Sequence, residues 1–151
     1  MVGKTAPIKV SHRQRFKIIK EAIGCLPCAC IGYLDVHTSI EHVTDAGRRL
    51  EGEHDATIGL CAWHHFGTCH PGRTRQWMSG EFGPSLAWGR RVFEEHFGDE
   101  VTVLLPLQDL VIGWYLESPW PDYTMPRNIA RKLRIEWIEL NHAYTTRSSE
   151  A

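Results

Sequence analysis

The 151-residue chain contains no apolar run approaching the roughly 18 residues that span a bilayer. Its N-terminus also lacks the short apolar core of a secretory signal. The two absences set the expectation of a soluble, cytoplasmic protein. Internal repeats and low-complexity segments are missing too, which excludes solenoids and tethers. Neither sign of charge dominates: 17 Lys+Arg stand against 18 Asp+Glu, for a net charge of −1. Charged residues make up 23%, close to the globular average of about 25%, so bulk disorder is excluded. The length suits one domain with a core of its own.

What is plentiful is histidine and cysteine, nine and five residues respectively. An odd cysteine count without an export signal argues against disulfides and for metal. Charge is also unevenly spread. Residues 1–24 carry six basic side chains and one acid, whereas residues 25–98 and 99–151 are each net acidic. A basic arm on an acidic body suits contact with phosphates, by counterion release, or is simply a solvated terminus.

Phe16, Ile19 and Ile23 recur at helical spacing, which predicts a short amphipathic helix over 13–23. Thr38–Val43 and Ala56–Leu60 read as partner strands around a turn-rich stretch. Gly83-Pro84-Ser85 is expected to open a helix running to Phe97, with Leu86, Val92, Phe93, His96 and Phe97 on its buried face. Residues 101–118 are apolar without a deciding period. Asn128–Asn141 is a helix with Ile129, Leu133, Trp137 and Leu140 on one stripe. The expected class is α+β, divided into an N-terminal arm (1–24), a core (25–98) and a helical extension (99–151).

Cys25-Leu26-Pro27-Cys28 and Cys61-Ala62-Trp63-His64 are two metal knuckles with thirty-two residues between them. Together they supply the four N/S ligands of a closed structural zinc site. Cys30 is an extra sulfur that could replace one of them, and Cys69 reads as a small buried residue. Between the knuckles, Glu41-His42 places an acid beside an imidazole at a strand end, and His65 follows the second knuckle directly.

The order C-x-x-C, acid-His on a strand, a long loop and then L-C-x-x-H-H resembles the HNH (ββα-metal) endonucleases. The segments 42–50 (HVTDAGRRL), 54–65 (HDATIGLCAWHH) and 82–87 (FGPSLA) are similar to the bacteriophage recombination-enhancement, RecA-dependent nuclease family. The resemblance covers roughly residues 25–98. It implies a metal-dependent DNA endonuclease of low sequence specificity, working in recombination or DNA processing in a bacterial host, with a RecA filament as a partner. By position, His42 matches the general base, and Glu41 and His65 match ligands of one catalytic Mg²⁺ or Mn²⁺. His54 or Asp55 falls near the residue that orients the base, and no Asn lies between Ile40 and His65 to fill the usual role. His70 is a further candidate ligand. Arg48, Arg49, Arg73 and Arg75, with Arg13, Arg15 and Lys17 of the arm, are candidate phosphate contacts. A non-catalytic zinc module that binds nucleic acid or protein is the alternative, which Trp114, Trp120 and Trp137 beyond the matched segment modestly favour.

Overall fold

A computed structural model describes residues 11–45, 48–49 and 55–150, with 45, 48, 49 and 144–150 as backbone only. The class is α+β, with many helices and two small two-stranded antiparallel ladders. Ser11 caps α1 (His12–Lys17) by accepting from the Gln14 amide, and a π-helical segment continues it to Ile23. The predicted helix is therefore present. Ile18, Ile19, Ala22 and Ile23 are buried in the main core, so this part of the basic segment is not a free arm.

The short helix α2 (Leu26–Cys30) precedes strand β1 (Ser39–His42). Two-residue strands β2 (Thr44–Asp45) and β3 (Arg48–Arg49) form a separate pair. Strand β4 (Thr57–Leu60) returns antiparallel to β1, with Ser39 opposite Leu60 and His42 opposite Thr57. The two strands expected from the sequence are thus present and paired. Helix α3 (Ala62–Phe66) follows β4 at once, with Cys61 as its N-cap and Gly67 in the left-handed conformation at its end.

Arg15 is a correction to the expected phosphate contacts. It lies 6% exposed, with Nε donating to Thr57 Oγ1 at 2.8 Å and Nη2 to the Thr57 carbonyl at 2.7 Å. Its Nη1 meets Asp109 Oδ1 at 2.8 Å. The guanidinium ties α1 to β4 and directs all three of these contacts into the protein. Arg15→Met should keep the apolar stem yet leave the Thr57 groups short of a donor. It should cost about 1–3 kcal/mol in denaturant melts with nucleic-acid affinity unchanged.

The single helix expected over 83–97 is instead two pieces, preceded by a separate helix. Helix α4 (Arg75–Phe82) ends at Gly83, a 3-10 turn covers Leu86–Trp88, and α5 (Arg90–Phe97) begins only after Gly89. Gly89 sits at φ 146°, which no helix accommodates, and the phase of the buried stripe shifts there. Val92 is consequently 56% exposed and His96 also faces out, against expectation, while Phe93 and Phe97 are buried.

The undecided segment is helical: a π turn over Glu100–Leu104 leads into α6 (Leu105–Glu117). Leu107, Gln108, Val111 and Ile112 make its buried stripe, while the apolar Leu110 is 37% exposed, which blurs the period. Buried Gln108 on α6 accepts from the Gly59 amide at 3.0 Å, satisfying an edge of β4. Helix α7 (Arg127–Glu150) outruns its predicted end, and its stripe buries Leu133 and Trp137 as expected. One cluster of buried side chains runs from Ile18 to Trp137, and a second surrounds the cysteines. No described helix is long and apolar enough to cross a membrane.

Candidate metal and nuclease centre

The two knuckles converge. Ligand atoms of Cys25, Cys28, Cys61 and His64, all buried, lie within 4.8 Å of one another. His64 Nδ1 is 3.4, 3.5 and 3.3 Å from the sulfurs of Cys25, Cys28 and Cys61, and the Cys28 and Cys61 sulfurs are 3.8 Å apart. A tetrahedron with Zn–S near 2.3 Å and Zn–N near 2.0–2.1 Å has edges of about 3.8 Å between sulfurs and about 3.5 Å from sulfur to nitrogen. The side chains therefore stand at the corners that zinc requires.

The imidazole is oriented for ligation. Its Nε2–H donates to the Phe82 carbonyl at 2.8 Å, which leaves the Nδ1 lone pair toward the sulfurs. The Phe97 ring meets it edge-on at 5.1 Å. Burial, then hydrogen bonds with Cys28 and Cys61, push the Cys25 thiol well up. Hydrogen bonds from Cys25 and Cys28 hold the Cys61 thiol well below its ordinary value. Three buried sulfurs and one imidazole nitrogen at these distances are the donor set that suits zinc. Cys30 is not a fourth sulfur for it. That residue is wholly buried in the main core, where desolvation raises its thiol well above its ordinary value. Cys69 is half-buried against the knuckle cluster, close to its expected place.

A second pair of donors lies on the adjoining face of β1. Glu41 Oε1 is 2.7 Å from His65 Nε2, with 17% and 19% of the side chains exposed. Ser39 Oγ, two residues before Glu41 and so on the same strand face, lies 3.2 Å from His65 Nδ1 and 3.2 Å from the Leu60 carbonyl. When Ser39 donates to that carbonyl it accepts from Nδ1–H, and Nε2 then turns a lone pair, a second proton or a cation toward Glu41. The carboxylate and the imidazole thus meet directly at a partly open surface. Sequence reasoning overlooked Ser39, although its i, i+2 relation to Glu41 was available as a signal.

His42 closes β1, half-buried, and strand alternation sends its side chain to the face opposite Glu41. His54 lies outside the described residues. Asp55 is mostly exposed and its Oδ1 reaches His12 Nε2 at 3.5 Å. His70 is brought to the knuckle side instead of to His65. It packs on Phe82 at 5.1 Å between ring centroids and lines a cavity of about 410 Å³ with Cys28, Cys61, Tyr33 and Trp63. Neither Glu41, His42 nor His65 lines that cavity, so His70 is not placed as their co-ligand. Arg13 and Lys17 are exposed, the side chains of Arg48 and Arg49 are not described, and Arg73 and Arg75 are exposed on and just before α4.

A family model described as recombination enhancement, RecA-dependent nuclease matches residues 9–111. The chain belongs to that family. The match takes in the N-terminal helix, the hairpin, both donor clusters and most of α6, and leaves α7 outside. No curated protein and no solved structure matches the chain. This RecA-dependent nuclease family member thus carries a zinc-compatible staple beside a two-donor site, joined through α3. His64 of that helix faces the sulfurs and His65 faces Glu41.

Proposed function

We propose that this nuclease hydrolyses DNA phosphodiesters with a divalent ion at a ββα-metal (HNH) centre built from β1, β4 and α3. The reading includes low sequence specificity and phage-type recombination or DNA processing in the bacterial cytoplasm. The observation that carries it is the Glu41–His65 pair at 2.7 Å, with Ser39 fixing the imidazole. Glu41 and His65 would hold one Mg²⁺ or Mn²⁺. Bound there, such an ion supplies Lewis-acid neutralisation of the charge developing on the scissile phosphate and the leaving 3′ oxygen.

The protein's own groups do the rest. His42 takes the proton of the attacking water, a role in which imidazole is the side chain best matched to neutral pH. His54, or Asp55 on release from His12, orients that ring. The Cys25, Cys28, Cys61 and His64 set, filled by zinc, locks α3 to the loop before the hairpin so that His65 keeps its place. Arg13, Lys17, Arg48 and Arg49 contact phosphates, which fixes register without reading bases. A RecA filament on DNA is the partner that the family description supports.

Nicking of supercoiled plasmid and of labelled single strands, with Mg²⁺, Mn²⁺ or chelator and with or without RecA, tests the reading. Cutting is expected only with an added ion, and faster with RecA. Silence on every substrate with every ion would leave a zinc module that binds DNA without cutting it.

A further inference from the structure

Four of the eight large apolar side chains exposed among the described residues, Phe66, Trp77, Trp88 and Val92, fall in the stretch from 66 to 92. The same stretch carries four arginines against one glutamate in a chain whose net charge is −1. Followed from His65 outward, the contacts there trace a path. The Phe66 ring stacks on His65 at 3.9 Å and 19°. Trp88 Nε1 donates to the carbonyl of the next residue, Gly67, at 3.3 Å. The Arg75 guanidinium lies 3.7 Å over the Trp88 ring, and Arg73 lies 4.2 Å over Trp77. Trp77 in turn meets Phe82 edge-on at 6.0 Å.

Packing does not account for these rings. Phe66 is 60% exposed and Trp88 50%, apolar surface that water disfavours unless something covers it. The indole of Trp88 is nonetheless held firmly. Gly67 has φ +72°, and a Cβ there would lie 2.2 Å from Trp88 Nε1, so the backbone presses against the ring edge. Among the described residues neither Arg73 nor Arg75 has an acidic partner, whereas Arg90 and Arg91 pair with glutamates. A guanidinium lying on an indole keeps an outer face for a further planar group and a positive charge for a phosphate.

We propose that Phe66, Trp88 with Arg75, and Trp77 with Arg73 form a base-stacking track that grips an unpaired nucleic-acid strand and leads it to the Glu41–His65 centre. This inference rests on the nuclease reading and adds the surface that holds the substrate. Rings that stack on bases need open base faces, which a duplex hides within its stack. Arginines alternating with the rings match the alternation of phosphate and base along a single strand.

The test is fluorescence titration of the full-length protein with oligothymidylate, without added Mg²⁺ or Mn²⁺ so that no cutting intervenes. Trp77 and Trp88 are the exposed tryptophans, so binding should quench emission. Trp88→Ala and Trp77→Ala should each weaken binding roughly 5- to 100-fold, the loss of about one base–ring stack. Trp88→Phe, which keeps a ring, should recover most of it. Both alanine variants should bind a strand of abasic sites as wild type does, since the phosphates are unchanged. Equal affinity of the variants and wild type for oligothymidylate, or the same loss on the abasic strand, would overturn the proposal and leave the patch to a protein partner. Plasmid nicking by wild type, measured in parallel, separates this failure from failure of the nuclease reading.

Discussion

Cys61→Ser should yield a protein that neither holds zinc nor folds cooperatively. Cys61 does two things: its sulfur caps α3 by accepting from the His64 amide at 3.4 Å, and it stands at one corner of the ligand tetrahedron. A serine oxygen can still cap the helix, so the substitution removes mainly the metal ligand. Apolar burial around this site is limited to Trp63 and Met78 with a few half-buried neighbours. Without the cation, buried cysteines crowd one another with no compensating charge. In small zinc peptides the metal supplies roughly 10–16 kcal/mol of folding free energy, comparable with the whole stability of an average domain. Metal content and thermal melting read the result. The control is Cys30→Ala, which removes a sulfur from the main core. It should keep a full equivalent of zinc and cost only about 1–2 kcal/mol. A Cys61→Ser protein with undiminished zinc would mean that the four ligands are wrongly chosen.

The two knuckles were legible because metal ligation imposes short fixed spacings within the chain. The β1–β4 pair was legible because residues 39–42 and 57–60 are two short runs on either side of a turn-rich stretch. What sequence missed depends on contacts made across long separations. The break at Gly89 was hidden because the residues on either side both suit helix, and only the packing of Trp88 on Gly67 sets the chain direction there. Residues 101–118 gave no period since apolar Leu110 is exposed and polar Gln108 is turned inward to serve Gly59. Arg15 looked like one more charge in a basic arm. Its burial is decided by Thr57 and Asp109, forty-two and ninety-four positions away. His70 follows His65 closely, yet the chain after Gly67 carries it to Phe82 and the cysteine side. Phe66, Trp77 and Trp88 would ordinarily be assigned to a core, and exposure of an aromatic ring is not written in its neighbours.

His42→Ala is expected to lower nicking by about 10²- to 10⁴-fold, the usual contribution of a positioned general base, while zinc content, melting temperature and strand affinity stay at wild-type values. The fold should tolerate the change because His42 is the last residue of β1 and only half-buried, so truncation opens no core cavity. Glu41→Gln should act differently. It keeps the shape but removes the negative charge facing His65, so activity should fall steeply at low Mn²⁺ and recover in part as the ion is raised. His65→Ala should show the same ion dependence, because both residues would serve the ion and not the water. The separation of the two classes is the decisive readout. Strand alternation sets His42 on the face away from Glu41. The base would therefore have to reach the water from the strand end, with the ion on the other side. A His42→Ala protein that nicks at the wild-type rate would place the proton acceptor elsewhere. One whose activity returned at high Mn²⁺ would make His42 a ligand and not the base.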